Sequence, residues 1–81
     1  MNIAELRAEL AKLGVDPRAV AIGDSTVFEG QYCLRKEPGG NWLVYGYERG
    51  EAVGLRQFFS EEEACQCLLD LLAEDKSTRV R

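Results

Sequence analysis

The sequence predicts an α+β fold: a three-stranded antiparallel β-meander with N- and C-terminal helices packed on one face, in the order α-β-β-β-α. Three observations predict it. Apolar residues recur at helical spacing near both ends of the chain, alternating segments separated by turn residues fill the middle, and 81 residues suit one domain. Both helices are needed to bury one face of this small sheet, so no helix remains to cover the other face. That face is therefore expected to be open.

The first helix is predicted over about residues 3–13. Asn2 and Glu5 form a capping-box pattern at its start, and Gly14 stands at the usual stop position. Its apolar stripe consists of Ile3, Leu6, Leu10 and Leu13. Residues 15–30 give a weaker pattern. There, Gly23-Asp24-Ser25 indicates a turn, and Val27 and Phe28 are expected to be buried in a short edge strand or an irregular segment.

Three strands are predicted next, over Gln31–Glu37, Trp42–Glu48 and Ala52–Phe59. Pro38-Gly39-Gly40-Asn41 and Arg49-Gly50 supply the turns, so consecutive strands should pair antiparallel. A second helix, over about 61–74, begins at a capping box of Ser60 and Glu63 and carries a wide apolar stripe. Residues 1–75 are therefore predicted to form one globular domain, and residues 76–81 a disordered basic tail.

The central strand has two candidate inner faces. Trp42, Val44 and Gly46 share one face, and Leu43, Tyr45 and Tyr47 share the other. Placing Trp42 and Val44 under the helices leaves Tyr45 and Tyr47 on the open face. The reverse assignment is nearly as good from the pattern alone.

The composition argues against catalysis and against a bound metal. The chain has no histidine, which removes the commonest general base and metal ligand. No phosphate-binding or nucleophile-elbow pattern is present. Cys65 and Cys67, two positions apart on a helix, point about 200° away from each other and would not share one ion. We expect no enzyme activity, no cofactor and no metal.

Charge and hydropathy limit the classes of partner that the protein is expected to bind and the cell compartment in which it is expected. Residues 1–75 contain seven basic and fourteen acidic residues, a balance of −7 that disfavours nucleic acid and favours basic partners. No apolar run approaches the roughly 20 residues that span a bilayer. The start of the chain lacks the pattern of a signal peptide, and an odd number of cysteines, three, argues against a secreted disulfide scaffold. We expect a cytoplasmic protein that does not bind membranes.

A partner-binding surface is predicted around the second hairpin, because Tyr and Arg are enriched at interface hot spots and acidic residues steer basic partners. Two simpler interpretations stay open: the tyrosines only cover the sheet, and Arg49 only pairs with Glu48 or Glu51 across the turn. The predicted surface consists of Arg35, Tyr45, Tyr47, Glu48, Arg49, Glu51 and Arg56.

About half of the chain carries a recognisable pattern: a tyrosine strand, a Gly/Asn turn, Trp-x-Val-Tyr, Glu-Arg-Gly and Phe-Ser-Glu-Glu-Glu-Ala-Cys. It falls on Tyr32, Trp42, Val44, Tyr45, Glu48-Arg49-Gly50 and Phe59–Cys65. The pattern resembles small immunity proteins encoded beside bacterial polymorphic toxins of contact-dependent and Rhs-type systems. The resemblance implies a small, acidic, non-catalytic protein that binds a basic toxin domain, often a nuclease, and blocks its active site.

Two other classes of function remain open. One is an interaction or regulatory domain that homodimerises through its open sheet face. The other is an RNA-binding sheet, which exposed aromatic residues favour and the −7 balance opposes. A large secreted protein with a variable C-terminal domain, encoded by the upstream gene, would favour the immunity function.

Overall fold

A computed structural model describes residues 1–23 and 26–80. The α+β class is confirmed, but the sheet has four strands of mixed direction instead of three antiparallel ones. Short 3-10 turns cover Pro17–Ala19 and Lys76–Thr78. The helices are α1 (Ile3–Leu13) and α2 (Glu61–Glu74), and the strands are β1 (Val20–Ile22), β2 (Tyr32–Lys36), β3 (Trp42–Glu48) and β4 (Glu51–Phe58).

The sheet has the order β1-β2-β3-β4. Strands β2, β3 and β4 form the predicted antiparallel meander. The additional strand, β1, pairs parallel with β2, so that Val20 lies opposite Tyr32 and Ile22 opposite Leu34. Parallel neighbours need a crossover connection instead of a tight turn, so the turn chemistry that reveals the meander gives no sign of this pair.

Both helices begin as their caps predict. The Asn2 side chain accepts a hydrogen bond from the Glu5 N–H at 2.8 Å, and the Glu5 carboxylate accepts one from the Asn2 N–H at 3.2 Å. The Ser60 hydroxyl accepts from the Glu63 N–H at 3.2 Å at the start of α2. These bonds satisfy N–H groups that have no partner inside a helix.

The main core lies between both helices and one face of the sheet, as predicted. Leu6 and Leu10 of α1 and Leu68 and Leu72 of α2 are buried there, whereas Leu13 is 38% exposed at the edge. Val44 points into this core and Trp42 packs against it, so the favoured assignment of the two β3 faces is confirmed. The sheet residues of the core are Ile22, Leu34 and Val44.

A second apolar cluster covers part of the face that was expected to be open. Ala21, Cys33 and Tyr45 lie side by side on the three strands β1 to β3 and are 3%, 2% and 7% exposed. Val27, from the crossover between β1 and β2, packs against them, but Phe28 is 65% exposed, contrary to expectation. The crossover must pass one face of the sheet, and the helices already occupy the other. Asp24 and Ser25 of the predicted turn lie outside the described residues.

Strand β4 is an edge strand with a bulge. Among the residues that the structure describes it pairs with β3 only, and its residues 51–57 are all exposed. Gly46 lies opposite Val53 while Val44 lies opposite Arg56, so two residues, Gly54 and Leu55, face the single residue Tyr45. Gly54 has φ +63°, a left-handed conformation that glycine adopts at the first position of such bulges.

Residues 76–80 are ordered, contrary to the expectation of a disordered tail over residues 76–81, of which Arg81 lies outside the described residues. Thr78 is buried, the Asp16 N–H donates to the Thr78 carbonyl at 2.7 Å, and the Val80 N–H donates to the Gly14 carbonyl at 2.7 Å. The Arg79 guanidinium donates to carbonyl oxygens of the last turn of α2, including that of Leu72 at 2.8 Å. The last carbonyl oxygens of a helix have no hydrogen-bond donor within the helix, and a basic side chain can donate to them instead.

Candidate protein-interaction surface

The hairpin between β3 and β4 closes with a two-residue turn at Arg49-Gly50. Both residues have positive φ, +53° and +77°, as the type I′ turn of a tight hairpin requires. The Arg49 N–H donates to both carboxylate oxygens of Glu29, at 2.8 and 3.0 Å. The turn is therefore fixed from outside the hairpin, by the segment that precedes β2.

Three carboxylates surround this turn. Glu48 and Glu51 lie opposite each other in the register of β3 and β4, both are exposed, and Glu29 lies against the turn backbone. None of the ion pairs within residues 1–23 and 26–80 involves Arg49, so its fixed contact is made by the main chain and not by the predicted pairing with Glu48 or Glu51. We call Glu29, Glu48, Arg49 and Glu51 the hairpin-tip surface.

Tyr45, predicted as a binding residue, belongs to the interior. Only 7% of it is exposed, because it packs in one cluster with Cys33 and Ala21, and Val27 of the crossover packs against that cluster. Burial also raises the pKa of the Tyr45 hydroxyl and of the Cys33 thiol. Its placement away from the helices is correct, but its predicted exposure is wrong.

Tyr47 and Arg35 lie on the same sheet face as Tyr45. Tyr47 is half-buried against the second cluster, next to the hairpin-tip surface in sequence. Arg35 is exposed, and its guanidinium lies 3.2 Å from the Glu37 carboxylate. Both residues retain some access to a partner, although the exposed ion pair of Arg35 contributes little to stability.

Arg56 lies on the opposite face from the tyrosines, which corrects its predicted position beside them. Its partner in the register is Val44, which points into the main core, and its Nη1 atom lies 3.6 Å from the Cys67 Sγ atom of α2. The bulge at Gly54 is the cause. Without the extra residue, the register set by the turn would place Arg56 opposite Leu43, on the tyrosine face.

A groove of about 650 Å³ runs between β4 and α2, and the sequence analysis missed it. Glu62 and Glu63 lie in the first turn of α2, where the helix dipole favours negative charge, so their position in the sequence does not by itself indicate a groove. The signal that could have found the groove is a polar and acidic stripe at helical spacing beside the leucine stripe of α2. Its lining residues are Arg56, Phe58, Glu62, Glu63, Gln66, Cys67, Asp70, Leu71 and Glu74.

A hydrogen bond joins the sheet to the end of α2. The Tyr32 hydroxyl donates to the Asp75 carboxylate at 2.7 Å. This bond, together with burial, raises the pKa of Tyr32 to about 12. Hydrogen bonds from Ser77 and then from Tyr32 lower the pKa of Asp75. In the folded state the contact stabilises the neutral form of the Tyr32 hydroxyl and the ionised form of the Asp75 carboxylate.

We expect Tyr32→Phe to lower the free energy of unfolding by about 1 kcal/mol at pH 7, a value discounted for the partial exposure of the pair. Because the folded-state pKa of Tyr32 is raised, its contribution is fully present below its unfolded pKa of about 10 and is lost as pH rises towards 12. Urea unfolding at pH 7 and pH 11 measures the difference. Tyr47→Phe, a second half-buried tyrosine, is the control, and a deficit that persists at pH 11 would contradict the assignment.

Within the described residues, no group of three or more acidic or cysteine side chains is arranged to hold a metal ion. Cys33 and Cys65 are buried free thiols, and Cys67 is half-buried. Neither of the helices described here has the length and apolar character needed to cross a bilayer. Comparisons with protein-family models, with curated proteins and with solved structures find no match.

Proposed function

We propose that this protein is a non-enzymatic, cytoplasmic immunity protein that binds a basic toxin domain and occludes its active site. The hairpin-tip surface supports the proposal most directly. It presents Glu48 and Glu51 side by side on a turn whose backbone is anchored to Glu29. The Glu48-Arg49-Gly50 motif, which carries part of the resemblance to immunity proteins, lies at this exposed tip.

Two like charges opposite each other in a hairpin are unfavourable for folding. Directly opposed residues interact across the strands, and like pairs destabilise a hairpin by a few tenths of a kcal/mol. A Lys or Arg of a partner placed between Glu48 and Glu51 would relieve this repulsion. Because the turn is fixed before binding, little conformational entropy is lost when the partner docks.

We expect Glu48→Gln with Glu51→Gln to weaken toxin binding about 10- to 100-fold, with most of the loss at low salt. The fold should be unharmed or slightly more stable, since the repulsion is removed. The measurement is the Kd for the toxin domain encoded beside this gene, by calorimetry at two salt concentrations. Glu5→Gln with Glu9→Gln on α1 is the matched control, because it changes the net charge equally and glutamine still completes a capping box.

Equal weakening by both double variants would show that only overall charge matters and would remove the hairpin-tip surface from the proposal. Absence of any complex with the toxin domain would reject the immunity function itself. The alternative, a homodimer through the open sheet face, has less apolar surface to use, because the crossover covers Ala21, Cys33 and Tyr45. A concentration-dependent sedimentation coefficient would favour it.

A further inference from the structure

We infer that the groove between β4 and α2 binds an extended, Lys- or Arg-rich segment, which pairs its backbone with the free edge of β4. The chemistry of the bound segment follows from the groove alone. Only the assignment of that segment to a toxin domain rests on the proposed function. Three features carry the inference: an unpaired strand edge, an acidic helix wall and a partly apolar floor.

The edge of β4 is long and accessible. The strand has eight residues and, within residues 1–23 and 26–80, hydrogen-bonds to a neighbouring strand on one side only, that of β3. The backbone N–H and C=O groups on its other side are therefore free to pair with an incoming strand. The opposite edge of the sheet, β1, has three residues, and the Arg7 guanidinium donates to the carbonyl of its last residue, Ile22, at 3.4 Å. Strand addition is therefore favoured at β4.

The wall formed by α2 is acidic. Four carboxylates line the groove against a single guanidinium, that of Arg56. Glu62 lies 3.9 Å from the N-terminal ammonium group, but the other three take part in none of the ion pairs found in the described parts of the chain. Those three are Glu63, Asp70 and Glu74.

The spacing of this wall suits an extended chain. Positions four apart on a helix rise about 6 Å, and side chains two apart on a strand are about 6.8 Å apart. Gln66, Asp70 and Glu74 follow the helical spacing along the groove. A strand added to β4 would direct alternate side chains towards α2, so basic residues at every second position would meet successive polar and acidic groups.

The floor offers limited apolar contact. Phe58, Cys67 and Leu71 line the groove and are half-buried. Such a floor accepts the aliphatic stems of Lys and Arg while their charged ends reach the carboxylates. It does not provide the large apolar area of an obligate interface.

A second copy of this chain is a poor occupant. Pairing β4 with its own counterpart would place two acidic α2 walls beside the new strand pair, and like charges at an interface oppose association. The same carboxylates oppose the phosphates of a nucleic acid. Complementary charge therefore favours a basic polypeptide.

The test uses ¹⁵N-labelled protein and two synthetic peptides, acetyl-(Lys-Thr)₄-amide and acetyl-(Glu-Thr)₄-amide, which match the eight residues of β4. We expect the lysine peptide at millimolar concentration to shift the amide resonances of residues 52–57 and to slow the hydrogen exchange of those N–H groups in this range that point away from β3. The glutamate peptide should do neither. Asp70→Asn with Glu74→Gln should weaken lysine-peptide binding about tenfold. The matched control, Ala4→Lys with Ala8→Lys on α1, makes the same change in net charge and should alter it less than about twofold.

The inference is overturned if the lysine peptide leaves the β4 amides unchanged, if both peptides act equally, or if both double variants weaken binding equally. Hydrogen exchange of the toxin complex then identifies the source of the segment. Protection of the β4 amides assigns it to the toxin. A tight complex in which these amides exchange as in the free protein removes the toxin as the source and leaves the proposed function standing.

Discussion

A chain that ends at Asp75 is expected to lose about 2 kcal/mol of its free energy of unfolding, equivalent to roughly 10 °C in Tm for a domain of this size. The truncation removes the buried Thr78, two main-chain hydrogen bonds to the segment after α1, and the Arg79 guanidinium from the end of α2. Each bond contributes about 1 kcal/mol, and the ordering entropy of five residues offsets much of the sum. Thermal unfolding followed by circular dichroism measures the change.

Two point variants separate the contributions to this loss. Arg79→Ala removes the hydrogen bonds to the Leu72 and Ala73 carbonyl oxygens and should account for about half of the effect. Lys76→Ala changes an exposed side chain of the same segment and should be close to neutral. A truncated chain as stable as the full one would show that these contacts contribute nothing in solution.

Tyr45→Ala is expected to cost about 3 kcal/mol, the range typical of removing a buried aromatic ring. The loss would leave a cavity beside Cys33 and Ala21 and would remove the contact with Val27 of the crossover. Because a domain of 81 residues has a small margin of stability, a large fraction of this variant should be unfolded at 37 °C. Urea denaturation gives the midpoint and the slope.

Tyr45→Phe is the matched variant, since it keeps the ring and should cost less than about 1 kcal/mol. The comparison also separates folding from binding. If Tyr45 acts only in the core, the folded fraction of Tyr45→Ala should bind a partner with the affinity of the wild type. If Tyr45→Ala instead has normal stability but has lost binding, Tyr45 contacts the partner directly and does not act only in the core.

The helices and the meander could be predicted because their signals are local. Caps such as Asn2 with Glu5 and turns such as Arg49-Gly50 lie next to the elements they define. The shared face of the two helices also follows from the size of the sheet. The position of the hairpin tip and the exposure of Glu48 and Glu51 follow from the same local rules.

The parts that sequence reasoning missed depend on contacts distant along the chain. Strand β1 is three residues long and is completed only by pairing with β2, and Tyr45 is buried in a cluster with Ala21 and Cys33 against which Val27 of the crossover packs. The final segment is ordered by main-chain bonds from Gly14 and Asp16, more than 60 positions earlier. The bulge at Gly54 shifts Arg56 to the other face through one inserted residue, which an alternating pattern does not reveal.

The bulge has a further consequence for self-assembly. A long, flat strand edge is a template on which identical chains can stack without limit, as in amyloid fibres. The kink at Gly54 twists β4 and interrupts its alternation halfway along. A single short strand can pair along part of this edge, whereas a fibril needs the same regular pairing repeated in every chain. The protein can thus leave this edge uncovered at high concentration with a reduced tendency to form fibrils.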